Sequence, residues 1–244
     1  MSRSSVTRLG FLVPPGNPTT EPEMFRLAPR GVTVHFTRMV AKGGVPGEHD
    51  GQEARNRSQI AHLDENIELL ALVKPSVIVM AHTASSYTLG REGEAALVKR
   101  LTEKFGIPFI TAFGSVIAAL GRLGATRVAL GTPYSAEATL RSKAHLEAHG
   151  LEVVSWKSLE GVVNIYDETP ARALALAQGA DSPDAQAVFL SGVGMPTVDV
   201  LEAAEHALGK PAMSSASAMM WHALCVAGVT TPVEGFGRLL SGAR

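Results

Sequence analysis

The residue best suited to move a proton in this chain is His82, which directly follows the apolar run Val77-Ile-Val-Met-Ala81. An imidazole titrates near pH 6.5, so it gives or takes a proton at neutral pH without large tuning. A histidine at a strand end also has a plain packing role, held by backbone hydrogen bonds. His82 opens a run rich in hydroxyl groups, Thr83, Ser85 and Ser86, which can equally cap the helix that follows. The one cysteine, Cys225, lies in the apolar stretch Met219 to Val226, where it reads as a buried structural thiol. It excludes an intrachain disulfide and a multi-cysteine metal site. Glu48-His49-Asp50 offers ligand types, but adjacent residues seldom converge on one ion, so no metal is expected and His49 reads as a solvated loop residue near the cleft. No strand is followed by a glycine-rich phosphate loop, and no cofactor is expected.

The elements that position these residues alternate in type. Short β-branched runs (Leu9 to Val13, Val77 to Met80, Phe109-Ile110, Val128 to Gly131, Leu151 to Ser155, Val188 to Leu190, Pro211 to Met213) alternate with longer amphipathic ones. Helices are expected near Arg55 to Val73, Gly93 to Phe105, Ser115 to Leu123, Ala136 to His149, Thr169 to Gln178, Thr197 to Leu208 and Ser217 to Val226. This rhythm belongs to an α/β fold with parallel strands covered on both faces.

The chain also repeats itself. Arg8 to Pro15 matches Arg127 to Tyr134, Val77 to His82 matches Ala187 to Gly192, and Phe105 to Pro108 matches Leu208 to Pro211, in the same order. Two pseudo-symmetric lobes follow, each a mainly parallel four-stranded sheet flanked by helices, with His82 and Gly192 equivalent. The expected division is a first lobe of residues 1–115 plus 225–244 and a second of 116–224. Open α/β sheets bind ligands beyond the C-terminal ends of their strands. The active site is then the interlobe cleft, lined by residues 14–20, 82–87, 132–137 and 192–197.

Composition narrows the partners. With 45% hydrophobic residues in 244 the chain buries a sizeable core, and a net charge of −1 gives no footprint for nucleic acid or an anionic membrane. No apolar run approaches the ~20 residues of a membrane helix, and the single thiol fits a reducing compartment, so the expected location is cytoplasmic. A homo-oligomer is compatible with the sequence, which does not specify one.

Taken together, these segments resemble the maleate isomerases and arylmalonate decarboxylases of the aspartate/glutamate racemase superfamily over nearly the whole chain. Pro14-Pro-Gly-Asn17 and the residues to Glu23 resemble the first-strand loop whose asparagine holds a substrate carboxylate. Gly131-Thr-Pro-Tyr134 resembles the second-lobe loop whose tyrosine does the same, and Gly161-Val-Val-Asn164 the segment that supplies a further asparagine. Gly192-Val193-Gly-Met-Pro196 is similar to a Cys-Val-x-Met-Pro loop, and Gly235-Phe-Gly-Arg-Leu239 to the decarboxylase C-terminus. The resemblance implies a small carboxylate held by Asn17, Thr83, Ser85, Tyr134, Asn164, Gly192 and Val193, with no cationic side chain. It also exposes a departure: both catalytic cysteines of the group are absent, replaced by His82 and Gly192. The expected activity is a cofactor-independent lyase or isomerase working through a carbanion or enediolate, with His82 as acid or base. The alternatives are a hydrolase or hydratase with a water in the space left at Gly192, and a non-catalytic carboxylate-binding protein.

Overall fold

Strands that are buried on both faces read as continuous apolar runs, and those runs form the centre of the computed structural model, which describes residues 6–46, 48 and 50–242. In chain order the elements are β1 (Thr7–Val13), α1 (Thr20–Leu27), β2 (Val32–Arg38), α2 (Gln52–Ala61), α3 (Leu63–Ala71), β3 (Val77–Met80), α4 (Thr83–Phe105), β4 (Phe109–Thr111) and α5 (Ala112–Leu123). The second half continues with β5 (Arg127–Thr132), α6 (Ala136–Ala148), β6 (Glu152–Ser158), α7 (Pro170–Ala180), β7 (Ala187–Leu190), α8 (Leu201–Leu208), β8 (Ala212–Ser214), α9 (Ser215–Val226) and α10 (Arg238–Ser241). Two four-stranded sheets result, ordered β2-β1-β3-β4 and β6-β5-β7-β8. Every pairing in them is parallel.

The repeat is visible in the register. Leu9 pairs with Val77 in one sheet as Val128 pairs with Ala187 in the other, and Ile78 with Phe109 as Val188 with Ala212. The strand ends repeat hydrogen bonds: Ala81 N donates to Leu12 O and Ser191 N to Gly131 O, both at 2.8 Å. His82 and Gly192, one residue further on, therefore hold equivalent positions.

Three elements, α1, β2 and α10, were not anticipated. The segment Val-Thr-Val-His-Phe-Thr-Arg forms β2, whose period-two alternation suits a strand on the sheet edge. Phe25 and Met24 lie in α1 before it. The single helix expected over residues 55–73 is two, because His62 (φ −105°, ψ 13°) breaks it. Elsewhere helix starts follow capping chemistry: Thr111, Ser135 and Thr169 each accept a backbone N–H three residues on, and Ser214 forms a reciprocal capping box with Ser217.

The covers of the sheets are exchanged. α3 and α4 cover one face of the first sheet through Leu63, Ile67, Leu97 and Leu101. Its other face is covered by α1 and by α9 of the second half, which supplies Met219, Met220, Ala223 and Leu224. Conversely α5, which follows the first sheet in sequence, puts Phe113, Val116 and Leu120 against Val128, Leu130 and Phe189 of the second. Each of these side chains is completely or almost completely buried, and burying one contributes ~1.5–3 kcal/mol. Both joints of the expected division, 115/116 and 224/225, fall inside these exchanged helices.

A charged group also crosses between the halves. Glu23 on α1 is buried, and its Oε1 accepts from the backbone N–H groups of Thr197 (2.6 Å) and Val198 (2.9 Å), while Oε2 has no hydrogen-bond partner among the described residues. Burial raises its pKa to about 7 despite those two N–H groups. An acid raised in the folded state contributes stability that is full below the unfolded pKa and is lost as pH rises through the folded one. For Glu23 that window runs from the ordinary 4.5 to about 7. Replacing Glu23 by Gln should remove this loss. Urea unfolding of the two proteins should show the variant gaining up to ~3 kcal/mol on its parent between pH 4.5 and 8, and a pH-independent difference would show that Glu23 does not titrate.

Candidate active site

The buried strand β3 delivers the chain at Ala81 and His82 into the gap between the sheets, and His82 (φ −148°, ψ 94°) precedes the first turn of α4. Its Nδ1 lies 2.8 Å from Ser85 Oγ, which leaves Nε2 as the nitrogen available to a ligand. The ring borders a narrow cavity with Pro14, Pro15, Arg55, Asn56, Gln59 and Tyr166. Burial, and secondarily the Arg55 guanidinium, lower its pKa to about 4. The imidazole is neutral at pH 7, ready to accept a proton rather than to donate one.

Arg55 is the main addition to the anticipated residues, since the cleft was expected to lack a cation. It is buried on α2 and ties down the segment that passes over the cavity, donating to Asp50 O (2.5 Å), Gly43 O (3.4 Å) and Glu48 O. Asn56 and Gln59, on the same helix face, are also buried, and Asn56 Oδ1 and Gln59 Oε1 lack hydrogen-bond partners among the described residues. A signal for them existed. The buried stripe Leu63, Ile67, Leu70 of α3 extends back at three- and four-residue spacing to Gln59 and Asn56, so an apolar face turns polar as it nears the cleft. His49, beside this segment, lies outside the described residues.

Asn17 and Val193 join the two halves behind this cavity. Asn17 Oδ1 accepts from Thr19 N (2.8 Å) and Thr20 N (2.9 Å), and its Nδ2 donates to Val193 O at 2.9 Å. Thr83 donates to Ser215 Oγ (3.1 Å), which also accepts from Gly192 N (3.2 Å). Asn164 Oδ1 accepts from Tyr166 N (2.9 Å), capping a short helical turn over Ile165–Asp167, and its Nδ2 donates to Pro46 O (3.1 Å). Pro46 and Tyr166 both approach Gly16, and both line the His82 cavity.

Tyr134 is buried and borders a neighbouring cavity of about 250 Å³ with Asn56, Ala84 and Tyr87; Asn56 and Gln52 also line the His82 cavity. Tyr87 Oη lies 2.9 Å from Ser191 Oγ. Burial raises the phenol of Tyr87 to about 12 and that of Tyr134 further, so both stay protonated and serve as neutral hydrogen-bond donors. The cleft thus gathers His82, its ring bonded to buried Ser85, and Arg55 around one cavity and Tyr134 and Tyr87 around the next. Asn17 and Val193 are paired with each other.

Two expectations change here. Cys225 is exposed, because it lies at the far end of α9, where it borders a surface cavity with Arg122 and Trp221 rather than the cleft. The space left at Gly192 is largely taken: a Cβ there would lie 3.0 Å from Tyr134 Oη and 3.3 Å from Pro133 Cγ, which argues against a resident water. Gly192 has φ +99°, a conformation side chains rarely adopt. Gly192→Ala should therefore cost ~1–3 kcal/mol in urea unfolding; a loss under ~0.5 kcal/mol would show that the backbone relaxes.

Comparison with known proteins agrees with this geometry. The chain is 29% identical to the maleate isomerase of Nocardia farcinica, covering 96% of each chain, and 29% identical to the arylmalonate decarboxylase of Bordetella bronchiseptica, covering 98% of each. The fold matches that of a cysteine-to-alanine variant of maleate isomerase Iso from Pseudomonas putida S16 with maleate, at a TM-score of 0.88 and 26% identity over 97% of this chain and 98% of that one. The family model described as arylmalonate decarboxylase matches residues 9–240. Two parallel sheets facing one another across a cleft, with a titratable residue at the end of one central strand, are thus those of an enzyme, and the chain belongs to the arylmalonate decarboxylase family of lyases and isomerases.

Proposed function

We propose that this protein is a decarboxylase or isomerase of a small carboxylic acid in which His82, rather than a cysteine, moves the proton. The observation that carries this reading is the placement of a neutral imidazole at the end of β3, at the repeat-equivalent of Gly192, in one cavity with Arg55. Arg55 offers the positive charge that holds a carboxylate near the ring. The phenols of Tyr87 and Tyr134, which border the neighbouring cavity, are the neutral donors available to an enediolate oxygen.

In an isomerisation, neutral His82 accepts a proton from the carbon next to the carboxylate. With a β,γ-unsaturated acid the electron pair moves into a dienediolate, and the imidazolium returns the proton to the γ carbon, leaving the double bond between the α and β carbons. In a decarboxylation the C–C bond breaks, carbon dioxide leaves, and the imidazolium protonates the enediolate carbon. That second course needs charged His82 at the start, which a bound dianion favours by its proximity. With both thiols missing, neither course uses addition of sulfur to a double bond. The space beside the ring is only about 30 Å³, so a substrate of few heavy atoms extends into the neighbouring 250 Å³ cavity.

Turnover of a panel of dicarboxylates and arylmalonates, followed by mass spectrometry, identifies the reaction: loss of carbon dioxide or retention of mass supports the proposal, whereas gain of water favours hydration. Ligand binding without any turnover would make the protein a carboxylate binder. With the substrate in hand, His82→Ala should lower kcat by ~10²–10⁴ with little change in affinity, and Cys225→Ser should leave both unchanged. A His82→Ala enzyme of parental kcat would remove His82 from the mechanism.

The depressed pKa supplies a second check. If neutral His82 is the base, kcat/KM should fall only as pH drops through about 4, the value in the free enzyme. A midpoint at 6.5 or above would show that another group controls the reaction or that His82 is not desolvated.

A further inference from the structure

Away from the cleft, Glu94 of α4 meets His145 and His149 from the C-terminal end of α6, with one ligand atom from each within 4.8 Å of the others. The two histidines are one helical turn apart, which brings both rings to one side of α6. His149 Nδ1 lies 2.9 Å from His145 O, so the proton sits on Nδ1 and the Nε2 lone pair is free. His145 is 7% exposed, and its Nε2 is buried without a hydrogen bond among the described residues, 3.6 Å from Glu94 Oε2. Glu94 Oε1 accepts from Ser86 at 2.6 Å and also from Thr111.

We propose that Glu94, His145 and His149 form a binding site for a divalent transition metal ion. Two imidazoles and one carboxylate suit Zn²⁺, Co²⁺ or Ni²⁺ rather than Mg²⁺ or Ca²⁺. Ligands of a tetrahedral Zn²⁺ lie ~3.3–3.5 Å apart, which small side-chain rotations reach from the present separations. The hydrogen bonds on His149 Nδ1 and Glu94 Oε1 are those that orient metal ligands from behind. The site opens onto a cavity of about 280 Å³ lined also by Phe109, Ile110 and His222, so a fourth position is accessible to water or a small ligand. The ion would join α4, from the first half of the chain, to α6, from the second.

Tag-free protein stripped with a chelator and titrated with Co²⁺ should develop visible d–d bands at one ion per chain, displaced by Zn²⁺. Zn²⁺ at 100 times its Kd should raise Tm by about 5–10 °C. His149→Asn, at a half-buried position, should keep the metal-free Tm but lose both the bands and the shift, and Glu94→Gln should weaken binding at least ~10–100-fold. Absence of the bands and the shift at millimolar metal, or their persistence in His149→Asn, would overturn the site.

Discussion

A parallel sheet has two faces to cover, and in this protein each sheet takes one of its covers from the other half of the chain. α9 completes the first sheet and α5 the second, and the two exchanged helices also pack against each other. The cleft depends on this arrangement. Exchange fixes the sheets relative to one another, so the residues that follow β3 and β7 meet on one hydroxyl, as Thr83 and Gly192 both donate to Ser215 at the start of α9. A site assembled from two halves is then held as tightly as a core.

Much of this was legible beforehand because duplication leaves a spatial signature. The three repeated blocks fall into identical sheet registers, and His82 and Gly192 could be paired from sequence without knowing a coordinate. What stayed hidden was what repetition does not encode. β2 was missed because its edge-strand alternation contains Thr, His and Arg. The helix break at His62 has no proline or glycine to mark it, and the exposure of Cys225 depends on which side of an almost uniformly apolar α9 meets solvent. Arg55 was hidden for a different reason: its chemistry comes from burial, and nothing in a lone arginine on a helix announces that it will be enclosed.

The site combines a charged and a neutral strategy. Arg55 is held by three backbone carbonyls, which fix its direction, so little of its freedom remains to be lost when an anion arrives. The same cation and the same burial keep His82 uncharged. A carboxylate between the two changes the balance for both, since it offsets Arg55 and stabilises imidazolium. In the proposed mechanism, substrate binding and the acid–base state of His82 are thereby linked in one small volume.

The exchange of α5 and α9 carries a consequence for how such a chain could have arisen. A half-length polypeptide ending in the equivalent of α5 or α9 would leave one sheet face bare, an exposed apolar surface that invites association. Two copies would cover each other by swapping their last helices, giving a symmetric dimer with two identical loops at its centre. Joining the copies end to end preserves that dimer inside a single molecule. It also frees the two loops to diverge, and a histidine on one side opposite a glycine on the other is the asymmetry that only the fused form can hold.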